Sequence, residues 1–312
     1  MLTIRRLALA SVVANSAIVV TGGAVRLTSS GLGCPTWPKC TTTTVTPTPE
    51  YAVHGIIEFG NRLLTFVLLA VVVALLVAVW RVRPVRPGWR RLAVLGVLGI
   101  PAQALLGGVT VLTGLNPWTV MGHFLVSGVL IALAVVLWTR VRYDGAPADP
   151  GVPLPLRRLG TGLLVLVAAT LVAGTVVTGS GPHSGDPEAG RTGLDPESMS
   201  QVHADLVFLL VGLTVAFYVA LRALSAPPAA TRAMGVLLLV ELAQGALGVT
   251  QYFTDLPVLL VGLHLVGACL VIVTAVQAVL ALQSRLGQRP AEDPSLISQR
   301  PMSAAGNGFE NR

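Results

Sequence analysis

Four of the five histidines, His54, His123, His203 and His264, stand near the starts of long apolar runs. An ionisable ring in such a place is costly and usually functional. The stretch around His54, "YAVHGIIEFGNRLL" (51–64), also carries Glu58, Asn61 and Arg62. On a helix, His54, Glu58 and Asn61 fall at i, i+4 and i+7 and share one face. Arg62 follows Glu58 by four residues, the spacing of a helical ion pair. Two readings of Glu58 stay open: a structural pair with Arg62, or a carboxylate that moves protons or stabilises charge beside a reacting group.

The elements that must position these residues are membrane helices. The 312-residue chain is 53% hydrophobic and 11% charged, with mean hydropathy +0.76. Soluble domains carry about 25% charged residues, and about 20 apolar residues cross a bilayer. Eight spans are expected, near 7–25, 52–80, 92–112, 118–139, 159–178, 201–222, 233–251 and 257–283. No alternating pattern suggests a barrel. Arg5 and Arg6 before an apolar run resemble a signal peptide, but no small-x-small site ends the run, so a retained helix is expected.

An even number of spans puts both termini on one side. Seventeen of the twenty-one Lys and Arg fall on that side, leaving Arg26, Lys39, Arg62 and Arg191 opposite. By the positive-inside rule both termini are cytoplasmic, in the cell (plasma) membrane. The net charge of +7 reflects that asymmetry and an anionic lipid surface. No basic run is interleaved with aromatics, so no nucleic-acid partner is expected. The outer loop 26–50 is rich in Thr and Pro, the outer loop 179–200 is polar and acidic, and the tail 286–312 reads as disordered.

The chain also repeats. Residues 102–123 match 243–264, with Gln103 to His123 spaced like Gln244 to His264. "VHGIIEF" (53–59) matches "VHADLVF" (202–208), and "VTGGAV" (20–25) matches "VAGTVV" (172–177). The expected fold is therefore all-α and integral to the membrane: eight transmembrane helices as two pseudo-symmetric four-helix bundles, a parallel repeat. Residues 1–140 form the first half, 141–158 a cytoplasmic linker and 159–285 the second half. The four histidines fall on helices 2, 4, 6 and 8 in one shallow layer near the outer side. Two histidines per half, from two helices, suit axial ligation of a metalloporphyrin. Zinc wants three or four close ligands. In the first half Glu58 accompanies His54; in the second, Val207 stands four residues after His203, so one half reads as an electron-carrying haem site and the other as a site for chemistry. Cys34 and Cys40, in "CPTWPKC" on the oxidising side, read as a disulfide, either a staple or a redox pair. Cys269 reads as a core residue, and His183 as a solvated loop residue.

The segments "TGGAVRLTSSGLGCPTWPKC" and "IEFGNRLL", the Gly-His at 122–123 and the two-fold repeat resemble the haem A synthase family, of the bacterial type with a Cys pair in the first outer loop. The resemblance covers roughly residues 5–285. It implies oxidation of the C8 methyl of haem O to a formyl group, making haem A for terminal oxidases. It further implies a haem b cofactor held by His203 and His264, a substrate haem held by His123, and a catalytic Glu58. A haem O synthase (protohaem farnesyltransferase) and an electron donor are implied as partners. Asn61 departs from the family pattern, in which a His stands three residues after the Glu. Either His54 takes that role, with the porphyrin shifted outward, or the porphyrin has one axial His and an open face near Asn61, Glu58 and Arg62. The rival reading is a quinol-linked carrier with two haems b and no substrate chemistry; a further class is a haem transporter or chaperone.

Overall fold

The computed structural model describes residues 1–143 and 152–283. It contains eight long helices: α1 (Leu2–Leu27), α2 (Ala52–Trp80), α3 (Pro87–Leu112), α4 (Pro117–Arg142), α5 (Leu154–Ser180), α6 (Pro196–Ala223), α7 (Pro228–Phe253) and α8 (Val258–Leu282). All eight are long and apolar enough to cross a membrane, and no strand occurs among the described residues. The chain is a multi-pass membrane protein.

Proline starts the helices. Pro87, Pro117, Pro196 and Pro228 occupy first positions, where the missing N–H has no intrahelical partner to lose. Asn116 caps α4 by accepting the Trp118 N–H at 3.0 Å, and Asp195 caps α6 by accepting the Ser198 N–H at 2.8 Å. These signals explain why α3, α6 and α7 begin five residues before the expected spans. Hydropathy registers only the apolar middle, whereas backbone hydrogen bonding continues through polar first turns such as Arg90 and Arg91. For the same reason α4 runs on to Arg142 and α5 starts at Leu154, inside the stretch 141–158 expected as a linker. The expected tail, 286–312, lies outside the described residues.

Helices α1 to α4 contact one another in a ring, α1 closing on α4, and α5 to α8 do the same. The rings meet through α4 on α8, α1 on α8 and α4 on α5. Val12, Ile131, Val135, Cys269 and Ile272 fill that seam, so Cys269 is a core residue. Leu163, Leu210, Phe217, Met234, Leu237 and Ala275 fill the second ring. Phe66, Phe208 and Leu239 are each about two-thirds exposed or more, outward-facing apolar surface that suits lipid as the solvent. Corresponding turns match in detail. Gly114 and Leu115 (φ 61° and 56°) close α3 onto α4, and Asp255 and Leu256 (φ 59° and 56°) close α7 onto α8. In both, the second residue's N–H reaches back to a helical carbonyl: Leu115 to Thr110 at 2.8 Å, Leu256 to Gln251 at 2.9 Å.

Candidate functional site

His203 of α6 and His264 of α8 lie diagonally across the second ring. Their ring centroids are 6.5 Å apart and the ring planes cross at 71°. Two imidazoles bound on opposite sides of one metal, with metal–nitrogen bonds of about 2 Å, bring their centroids to roughly 6 Å apart. The spacing fits that arrangement. The Nδ1 of His203 lies 3.0 Å from the Thr170 carbonyl oxygen. A carbonyl only accepts, so Nδ1 carries the hydrogen and Nε2 keeps its lone pair for a metal, the orientation that outer-shell partners give metal ligands. The Nδ1 of His264 is buried without a partner.

Glycines make room for these rings. A Cβ at Gly174 would lie 3.0 Å from His203 Cε1, and one at Gly248 would lie 3.4 Å from His264 Cε1. Gln244 of α7 holds the α8 backbone, its Nε2 donating to the His264 carbonyl at 2.9 Å. The first ring repeats this frame around His123. A Cβ at Gly107 would lie 3.2 Å from His123 Cε1, Gln103 Nε2 donates to the His123 carbonyl at 3.0 Å, and His123 Nδ1 is buried and unpartnered. Gln103 also contacts the Ser127 hydroxyl.

The fourth corner differs. Gly22 corresponds to Gly174, and the side chain facing it is Asn61, whose Nδ2 would stand 3.8 Å from an added Cβ. Asn61 Oδ1 accepts from the Thr21 hydroxyl at 2.8 Å. Counting back from the last helical residues, Asn61, His123, His203 and His264 share one depth within two residues, whereas His54 lies seven residues beyond Asn61. His54 is exposed, in the first turn of α2, with Nδ1 2.9 Å from the Ser30 hydroxyl. The expected pairing of His54 with His203 is therefore not the packing register. A short Val-His match cannot set register when α2 starts two residues before its His and α6 starts seven before.

Glu58 is buried one turn from Asn61 and faces the first loop. Its Oε2 accepts the Cys34 N–H at 2.7 Å, and its Oε1 accepts from Arg62 Nη2 at 2.6 Å. Arg62 also donates to the carbonyls of Cys34 (2.9 Å), Thr36 (3.0 Å) and Lys39 (3.3 Å). The pair thus clamps the loop closed by the Cys34–Cys40 disulfide. It is the only ion pair among the described residues. His183 is half-buried rather than solvated, and its Nε2 lies 2.9 Å from the Leu256 carbonyl. Arg26, in the last turn of α1, bridges onto the carbonyls of Thr178 in α5 and His183 in the loop after it, tying the ends of those two helices together.

Sequence reasoning missed the supporting residues Thr170, Gly174, Gly248 and Ser30. It also missed Glu241 of α7, which is 3% exposed and accepts from the Thr214 hydroxyl at 3.0 Å. Its signal was present, a carboxylate within the apolar run "VLLLVELAQ". Among the described residues, no three His, Cys, Asp or Glu gather as a metal cluster.

The COX15-CtaA family, described as cytochrome oxidase assembly protein, matches residues 5–183. A Heme A synthase of Halalkalibacterium halodurans is 34% identical over 134 residues, 43% of this chain and 44% of the relative. A Heme A synthase of Bacillus pumilus is 38% identical over 123 residues, 38% of each chain. One of Geobacillus kaustophilus is 31% identical over 137 residues, 42% of this chain and 40% of the relative. The chain thus spans less than half the length of each of these relatives.

Proposed function

This chain belongs to the COX15-CtaA family of cytochrome oxidase assembly proteins, and from that premise we propose that it is a haem A synthase. The reaction converts the C8 methyl of haem O to a formyl group, the methyl carbon exchanging two hydrogens for one oxygen atom. The reading is supported by the names of its relatives and by one structural observation. The four matching corners hold three histidines and one asparagine, so one ring offers a histidine pair and the other a single histidine and an asparagine, with the buried Glu58 one turn from that asparagine.

In this reading His203 and His264 would hold a haem b, which would supply electron transfer. Gly174 and Gly248 leave room for the rings, and the Thr170 carbonyl fixes the His203 tautomer. The first half holds haem O through His123, with Gly107 making room and Gln103 anchoring the backbone. Asn61, at the corner that His203 occupies in the second half, would leave haem O with His123 as its one histidine. Glu58, one turn away on the same helix, is the group for proton movement or charge stabilisation at the reacting methyl. Arg62 either balances Glu58 or meets a haem propionate, and its contacts with Glu58 and the loop carbonyls favour the first. His54 stands toward the outer mouth and hydrogen-bonds Ser30. The matching turns and glycine corners support a duplicated four-helix unit. The charge asymmetry supports placement in the cell membrane with both termini cytoplasmic. A haem O synthase upstream and an electron-transfer partner complete the assignment.

The test is pigment extraction from cells co-expressing a haem O synthase. Wild type is expected to yield hydroxymethyl or formyl haem. Glu58→Ala is expected to stop conversion while the second-half haem spectrum persists. Unchanged protohaem and haem O with wild type would favour the two-haem carrier or the transporter, and conversion by Glu58→Ala would remove Glu58 from the chemistry.

A further inference from the structure

Glu58 and Glu241 are the two buried carboxylates among the described residues, and they are held very differently. Glu58 has a guanidinium against one oxygen and a backbone N–H against the other. Glu241 has one hydroxyl on Oε1, from Thr214, and nothing on its buried Oε2. Met234 and Leu237 stand two turns and one turn before it on α7, Leu210 and Phe217 flank Thr214 on α6, and all four are at most 3% exposed. A carboxyl left half-satisfied in such a place is costly and persists where it has a task.

Its position suggests the task. Glu241 precedes Gln244 by three residues, one helical turn, and Gln244 holds the His264 carbonyl. Thr214 follows His203 by eleven residues, three turns along the same face of α6. The carboxyl therefore lies between the helices that carry the two histidines, on the side of the rings away from the disulfide. The Gln103–Gln244 match puts Ile100, 3% exposed, at the corresponding place in the first half. The carboxyl is a feature of the second half alone.

We propose that Glu241, positioned by Thr214, is the redox-linked proton site of the second-half haem. One electron from an external one-electron donor reduces the ferric iron held by His203 and His264, and one proton from solvent passes to the Glu241 carboxylate, so the buried region gains no net charge. This rests on the haem reading of that histidine pair. Eleven residues at about 1.5 Å each put the carboxyl roughly 16 Å from His203 along α6, and at an effective dielectric near 20 one unit of charge at that distance changes proton affinity by roughly sixfold, enough to couple the two events in part. The titratable or charged groups on the packed neighbours are Glu197, His203, Asp205, Tyr218 and Arg222 on α6 and His264 and Cys269 on α8; on α7 itself they are Arg232 and Tyr252. None of them hydrogen-bonds or ion-pairs with Glu241.

The experiment is a spectroelectrochemical titration of the purified, haem-loaded full chain across a pH series, with dithionite-reduced mediators as donor. Wild type is expected to show a midpoint potential that falls as pH rises, and Glu241→Gln to lose most of that slope with its haem spectrum unchanged. Thr214→Val, which keeps the carboxyl but not its hydroxyl partner, is expected to keep a slope over a displaced pH range. Equal slopes in wild type and Glu241→Gln, or a flat wild type, would overturn the proposal. Proton uptake on reduction, followed with an indicator dye across the pH series in wild type alone, is an independent readout: a maximum of roughly 0.4 proton per electron, the most a sixfold shift allows, supports the proposal, and no uptake at any pH overturns it. A preparation lacking a haem spectrum that His264→Ala abolishes would overturn the ligand reading, and this inference with it.

Discussion

Arg62→Ala probes the clamp that holds the disulfide loop over the first-half site. The wild-type guanidinium neutralises Glu58 and donates to three loop carbonyls, those of Cys34, Thr36 and Lys39. Its removal leaves a carboxylate with a side chain 7% exposed and no counter-charge. Taking one partner from a buried pair costs about 3–5 kcal/mol. Glu58 must then swing toward water, and the Cys34 N–H it accepts at 2.7 Å is released. At the lower bound, about 3 kcal/mol, opening becomes more frequent by on the order of a hundredfold. Hydrogen–deuterium exchange read at the Cys34 amide is the assay, with exchange in α7 as an internal control. The double variant Glu58→Gln/Arg62→Ala carries no stranded charge and is expected to exchange within roughly tenfold of wild type, a coupling that a cycle isolates. Exchange at Cys34 that is unchanged in Arg62→Ala, or strictly additive effects in the double variant, would refute the clamp.

Three further outcomes follow from the same geometry. Gly174→Ala puts a Cβ 3.0 Å from the His203 ring and is expected to lower haem occupancy of the second half, whereas Gly22→Ala, with 3.8 Å to Asn61, is expected to leave pigment content unchanged; absorbance per protein checks both. Cys34→Ser/Cys40→Ser is expected to destabilise the first loop by about 2 kcal/mol, the value for so short a closed loop, and to leave the His203–His264 spectrum intact; loop proteolysis and absorbance measure this. The Asp195 carboxyl is held below the usual carboxylate range, first by the Ser198 side chain and then by the Ser198 N–H. Its capping contribution is therefore present above the unfolded value and lost as pH falls through the folded one, so amide exchange in the first turn of α6 should quicken on acidification in wild type and be insensitive over that range in Asp195→Asn.

The spans were legible because a bilayer imposes length and apolarity on every crossing, and "AQALLGG" against "AQGALGV" was enough to align Gln103 and His123 with Gln244 and His264. Caps such as Asn116 and Asp195 lie in polar flanks that a hydropathy reading trims away, so the helices proved longer than the apolar runs. The register of α2 was not legible from "VHGIIEF", because it depends on where the loop held by Glu58 and Arg62 lets the helix begin. The closeness of the His203 and His264 rings depends on Gly174 and Gly248, whose meaning appears only when the neighbouring helix is in place. Glu241 was readable in principle and was hidden by the apolarity of the residues on either side of it.

The proposed haem site of α5 to α8 offers two histidines, and the ring of α1 to α4 offers one, with Asn61 in the remaining place. Near-infrared magnetic circular dichroism of the oxidised, haem-loaded protein reports bis-imidazole ligation directly. One such signal per chain is expected, abolished by His203→Ala or His264→Ala and untouched by His54→Ala. A signal that survives His264→Ala, or that His54→Ala removes, would contradict it.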